Sequence, residues 1–168
     1  MKALKLLVVV AILIALLPSC KKDPQVLIAK SWTVTSYKVN GVEQMTANST
    51  SSSFFAPNCN TTFSYTNTSK IKSFTMDFNS NGNFTQTPTA EYTTLDFTAT
   101  NSNCVLTMMT NIYTSSKSGT YSLSSDGKKI TLIVGSTTTV YDILVLKKKS
   151  MQWKGTNSGD TEEYSFVN

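Results

Sequence analysis

From Lys30 onward the apolar positions of this chain almost never recur at helical spacing. Short runs rich in Thr, Val, Ile, Tyr and Phe alternate with Asn, Ser, Gly and Asp, the pattern of strands and turns. The first run, Ser31 to Asn40, puts Trp32 and Val34 on one face and ends at Gly41. Residues 43–69 are heavy in Ser, Thr and Asn and read as a long excursion with a strand near Thr62 to Thr66. Lys70 to Phe78 alternates cleanly: Phe74, Met76 and Phe78 face one way, while Ser73, Thr75 and Asp77 face the other. Asn79-Ser80-Asn81-Gly82 turns the chain and Asn83 to Thr87 returns. Strands are predicted at Glu91 to Thr100 and Cys104 to Thr114. A hairpin then runs from Gly119 to Leu123, through Ser124-Ser125-Asp126-Gly127, to Lys128 to Val134. Thr137 to Leu146, Met151 to Lys154 and Glu162 to Val167 complete the series.

Strands following one another in sequential hairpins predict an all-β protein. The favoured architecture is an antiparallel up-and-down β-barrel of about eight to ten strands, ahead of a Greek-key sandwich. Closure also removes exposed strand edges. Alternation points Trp32, Phe74, Met76, Phe78, Phe84, Tyr121, Leu123, Ile130 and Leu132 into the barrel. They either fill it or line a pocket within it.

The first residues follow a different pattern. Lys2 and Lys5 precede an unbroken apolar run, Leu6 to Leu17, and Pro18-Ser19-Cys20 follows. A positive start, a short apolar segment and a small residue form the layout of a secretory signal peptide, too short to span a bilayer stably. The cysteine after a Leu-x-small tripeptide resembles the bacterial lipobox. That resemblance implies cleavage after residue 19 and diacylglycerol on the Cys20 thiol, with an acylated amino terminus. Each buried acyl CH₂ contributes roughly 0.8 kcal/mol, so two or three chains would anchor durably. Residues 1–19 are thus expected as signal peptide, 20–29 as lipidated cysteine and tether, and 30–168 as the barrel domain. Pro24 is expected to keep the tether from becoming helical, and nine extended residues reach about 30 Å.

If Cys20 carries lipid, Cys59 and Cys104 remain, in a compartment that permits disulfides. They are expected to pair, closing a loop worth nominally about 4 kcal/mol. The alternative is two separate buried thiols.

The segments Trp32-x-Val34-x-Ser36, Phe74 to Phe84 and Gly119 to Leu132 resemble small lipocalin-like lipoproteins of Bacteroidota, as does Tyr141 to Leu146 followed by Met151-Gln152-Trp153. Where lipocalins carry a glycine, two positions before the first-strand tryptophan, this chain has Lys30. The resemblance implies a barrel that binds a small apolar or amphipathic ligand, with Trp32, Phe74, Met76, Phe78, Phe84, Tyr121 and Leu123 as candidate lining residues. The alternative is a solid barrel serving as an interaction module, whose loops, chiefly residues 43–69, bind a protein or glycan. By analogy with lipoprotein sorting, Lys21 after Cys20 implies the outer membrane, with the domain on the periplasmic face or at the cell surface. The implied partner is the membrane itself, through Cys20.

Composition narrows the chemistry. Fifteen basic residues outnumber ten acidic ones, a formal charge of +5, and histidine is absent. Every basic residue is lysine. Without arginine, specific reading of phosphate or guanine is disfavoured, and no nucleic-acid partner is expected. Without histidine, Ser-His catalysis and His-based zinc sites are excluded. The carboxylates Asp77, Glu91, Asp96 and Asp142 show no pairing that would serve acid–base work. Neither an enzyme nor a cofactor is expected. Lys147 to Lys149 read as a solvated turn rather than as a head-group contact.

Overall fold

The structure, a computed structural model, describes residues 23–168. The signal segment, Cys20 and the lysines after it lie outside the described residues. The chain forms strands β1 (Ser31–Val39), β2 (Val42–Glu43), β3 (Asn48–Ala56), β4 (Thr61–Phe78), β5 (Asn83–Leu95) and β6 (Met108–Thr114). After these come β7 (Lys117–Leu123), β8 (Lys129–Val134), β9 (Thr137–Leu146), β10 (Ser150–Asn157) and β11 (Asp160–Val167). All pair antiparallel. Eight of them close a ring in chain order, β1-β4-β5-β7-β8-β9-β10-β11 and back to β1. The expected up-and-down barrel is what the chain forms.

One end of the barrel is packed solid. Phe78 pairs with Phe84, Leu123 with Ile130 and Leu146 with Met151 at the tight turns of that end. Inside it the Trp153 ring lies 4.5 Å from Phe166 and 5.9 Å from Phe78, which itself meets Tyr121 at 5.0 Å. Fully burying one such side chain stabilises the fold by about 1.5–3 kcal/mol.

A short helix, Pro24–Ile28, plugs this end. The expectation that Pro24 prevents helix does not hold. The proline sits in the first turn, where its missing N–H is no loss, and Asp23 caps the turn by accepting from Gln25 N–H at 2.9 Å. Ile28 is fully buried, and its carbonyl accepts from Trp32 Nε1 at 2.9 Å. Gln25 Nε2 donates to the Tyr121 hydroxyl at 3.1 Å, and that hydroxyl donates to Asn79 O at 2.8 Å.

At the other end the barrel grows an arm. Strand β4 runs unbroken from Thr61 to Phe78, and β5 from Asn83 to Leu95, so both continue past the rim. Strand β3 pairs with the outer half of β4, and β6 with the outer half of β5. Hydroxyl pairs lace one face of β5 to its neighbours: Thr85 to Ser118 and Thr87 to Ser116 at 3.0 Å, Thr89 to Thr114 and Thr93 to Thr110 at 2.9 Å. The strand expected at Glu91 to Thr100 is instead the far end of β5, continuous with the return strand from Asn83 and stopping at Leu95, and the one expected at Cys104 to Thr114 starts only at Met108. Asp96 caps a helix, Phe97–Asn103, by accepting from Ala99 N–H at 2.8 Å. Cys104 leaves that helix in a left-handed conformation. It is bonded to Cys59 at the arm's tip, with 5.3 Å between the Cα atoms, so the expected disulfide is present.

Candidate functional site

The open end holds a cavity of about 420 Å³. Its apolar wall comes from Ile71, Phe74, Phe84, Pro88, Leu132 and Val134. Facing these are Tyr37, Tyr141, Tyr164, Asn157 and Glu162, with Lys117 and Gln86 also on the lining. The cavity is therefore two-faced, apolar on one side and polar on the other.

Glu162 organises the polar side. It is 7% exposed, and none of the ion pairs among the described residues involves it. Four donors hold its carboxylate instead. Oε1 accepts from the Tyr37 hydroxyl at 3.2 Å and from Asn157 Nδ2 at 3.3 Å. Oε2 accepts from the Tyr164 hydroxyl at 3.4 Å and from the Tyr141 hydroxyl in a close contact. A carboxylate offers about four lone-pair positions, so this one is filled.

Strand register explains the convergence. Glu162 pairs with Gly155, and Gly155 pairs with Tyr141, which sets the three in one row across β11, β10 and β9. Because the middle member lacks a side chain, the Tyr141 ring lies over it and reaches the carboxylate. Tyr37 and Tyr164 are direct partners on β1 and β11, with rings stacked at 4.5 Å. Asn157 arrives from the end of β10.

Burial, followed by the charge of Glu162, pushes the Tyr37 phenol up to about 12. Burial raises Tyr141 and Tyr164 further. All three therefore stay protonated at neutral pH. Each gives its proton to Glu162, which leaves the phenolic oxygens as acceptors polarised by a negative neighbour. A cavity so lined offers acceptors and negative potential at one side and an apolar wall at the other.

All nine side chains expected to point inward do so. Among the seven candidate lining residues, the structure brings Phe74 and Phe84 to the cavity. Trp32, Met76, Phe78 and Tyr121 are buried in the packed end, and Leu123 packs against the same core. Asp142 faces outward, paired with Lys129 at 3.1 Å, and Glu91 is held by Lys70 at 2.9 Å and Lys72 at 3.0 Å. Sequence reasoning passed over Glu162, Tyr37, Asn157 and Tyr164. The signal was present in Glu162-x-Tyr164-x-Phe166, where alternation places the acid on the same face as two aromatic rings.

Among the described residues, no cluster of three or more His, Cys, Asp or Glu could hold a metal ion, and no helix is long and apolar enough to cross a membrane. Comparison of the chain with models of known protein families gives no match, and neither does comparison with curated protein sequences.

Proposed function

We propose that the protein is a lipid-anchored envelope protein whose barrel holds a small amphipathic molecule, its donor-bearing head against the Glu162 cluster and its apolar body against Phe74, Leu132 and Val134. The observation that carries this reading is the two-faced cavity: a buried carboxylate saturated by three phenols and an amide, opposite an apolar wall. An ammonium head suits the site best, because the phenolic oxygens accept hydrogen bonds and no ion pair among the described residues engages the buried charge. Saturation of Glu162 also favours binding over turnover, since a carboxylate with its lone pairs filled makes a poor general base.

The signal-like segment and Cys20 support the anchor. The described chain enters at the closed end, so a lipid on Cys20 would hold that end to the membrane and leave the mouth facing away. Resemblance to lipocalin-like lipoproteins supports the same arrangement.

Calorimetric titration with octylammonium, octanol and octanoate tests the binding site with one chain length and three heads. The expected order of affinity is ammonium, then alcohol, then carboxylate, and Glu162→Gln erases the preference. Absence of binding by all three, or octanoate bound as tightly as octylammonium, overturns the reading. For the anchor, Cys20→Ser is expected to move the protein from the membrane to the soluble fraction.

A further inference from the structure

A second concave surface lies outside the barrel. Even-numbered residues of β5 share one face, and from Phe84 through Gln86 and Pro88 that face lines the barrel. No extra residue interrupts β5, so the same face continues onto the arm as Ala90, Tyr92 and Thr94. There the arm strands β3, β4, β5 and β6 form a groove of about 520 Å³. One row crosses all four strands in register: Asn48, Ser69, Tyr92 and Asn111.

The lining of this groove is chemically narrow. It contains three asparagines (Asn48, Asn67 and Asn111) and two tyrosines (Tyr92 and Tyr113), and every other lining residue is serine or threonine. There is no charged and no aliphatic side chain in it. The charges of the arm are sent to the opposite face. An extra residue in β4 between Ile71 and Ser73 lets Lys70 and Lys72 both reach Glu91 there. Tyr92 and Tyr113 are 46% and 59% exposed, with ring centroids 5.8 Å apart. Asn67 Nδ2 donates to Ser52 Oγ at 3.3 Å, while its Oδ1 is buried without a hydrogen-bond partner.

We infer that this groove binds a neutral oligosaccharide. Sugar rings present C–H faces that lie against exposed aromatic rings. Their hydroxyls are both donors and acceptors, which asparagine amides match with two donors and two lone pairs apiece. An uncharged lining selects against anionic glycans, which would want lysine in the groove. A protein partner would instead want aliphatic as well as aromatic anchors at the buried core of the contact, and the groove has no aliphatic side chain. The unpartnered Asn67 oxygen is an acceptor that a sugar hydroxyl satisfies. This site is independent of the barrel cavity, and its ligand differs in class from the amphipathic molecule proposed there.

The test titrates the full-length purified protein with maltohexaose, cellohexaose, xylohexaose and oligogalacturonate, read by calorimetry and by saturation-transfer NMR. At least one neutral hexasaccharide is expected to bind, and Tyr92→Ala and Tyr113→Ala are each expected to weaken it by about tenfold. Tyr92→Phe keeps the ring and is expected to retain most of the binding, and Ile112→Ala, on the opposite face, to leave it unchanged. Circular dichroism of each variant separates loss of the site from loss of fold. The inference is overturned if none of the three neutral sugars binds, if both alanine variants bind as the parent does, or if oligogalacturonate binds more tightly than all three. Octylammonium binding, read in the same variants, is expected to be unaffected, which keeps the two sites distinguishable.

Discussion

Tyr141 reaches Glu162 across an intervening strand because the residue between them is Gly155. Adjacent strands lie about 4.8 Å apart, so two side chains separated by a third strand meet only when that strand leaves the space free. A Cβ on residue 155 would stand 2.6 Å from Tyr141 Cδ1 and 2.5 Å from Val140 O. The carbonyl belongs to the sheet and cannot easily yield. Gly155→Ala is therefore expected to destabilise the fold by about 1–3 kcal/mol in urea denaturation, as overpacking does. It should also displace the Tyr141 ring and reduce the preference for octylammonium over octanol.

The phenols around Glu162 set an alkaline limit to stability. In the unfolded chain Tyr37 ionises near its ordinary value of 10.0, whereas the folded state holds its proton up to about 12. A pKa raised by folding contributes stability that is whole below the lower value and is lost as pH climbs through the higher one, because only the unfolded state gives up the proton in between. Tyr141 and Tyr164 are shifted in the same direction and steepen the loss. Unfolding free energy is expected to be flat up to about pH 10 and to fall above it. Tyr37→Phe should lower the slope in that window, as urea midpoints measured across the alkaline range would show.

How far the sequence reveals this molecule depends on which force shapes each part. The barrel was legible because its inner face is apolar and its outer face polar, so Phe74-x-Met76-x-Phe78 could be assigned a direction from alternation alone. The arm lacks that contrast: β3 is mostly serine and threonine, while apolar side chains of β6 such as Met109, Ile112 and Tyr113 stand exposed. There alternation carries no information, and Asn48–Ala56 looks like loop although it forms a strand paired along its whole length with β4. Turn chemistry misled in the other direction. Asp96 reads as one polar position in a strand, yet its carboxylate caps a helix, an outcome decided by local hydrogen bonds rather than by periodicity. Sequence marks the inward face and not the depth, so aromatic residues of the solid end look the same as those that line the cavity. Depth decides whether a ring meets another ring or empty space. Glu162 was legible in principle, as an acid at an inward position, but its four donors come from β1, β9, β10 and β11, and only closure of the barrel gathers them.

The plug at the closed end rests on a bond between two residues in the same stretch of chain, Trp32 Nε1 and Ile28 O at 2.9 Å. Trp32→Phe removes the donor and leaves space where the wider indole packed, while the carbonyl keeps the Lys30 N–H at 2.8 Å as its partner. The substitution is expected to cost about 1–3 kcal/mol, from the lost hydrogen bond and the smaller ring together. Ile28→Ala removes the fully buried anchor of the helix and is expected to cost about 2–5 kcal/mol. Amide exchange should show where the loss falls: protection of Leu27 and Ala29, whose N–H groups bond within this helix, should drop first, ahead of β9 and β10.

Cys59 and Cys104, 45 residues apart in sequence, join the β3–β4 and β5–β6 connections at the arm's tip, away from the barrel. The arm buries little apolar surface. Phe54 packs on Phe97 at 5.0 Å, Ala56 and Leu95 are buried, and most of its other side chains are hydroxyls and amides. With so small a core, the crosslink supplies a large share of what orders the arm, nominally about 4 kcal/mol by restriction of the unfolded chain. The barrel has its own core and its own closed ring of strands, so it should not need the bond. Cys59→Ser with Cys104→Ser is thus expected to split the molecule's behaviour. Amide protection should fall in β3, β6 and the outer halves of β4 and β5, while β7 to β11 keep theirs. Sugar binding in the groove should weaken, while octylammonium binding in the barrel should persist. Uniform loss of protection across all strands would show instead that arm and barrel unfold as one unit.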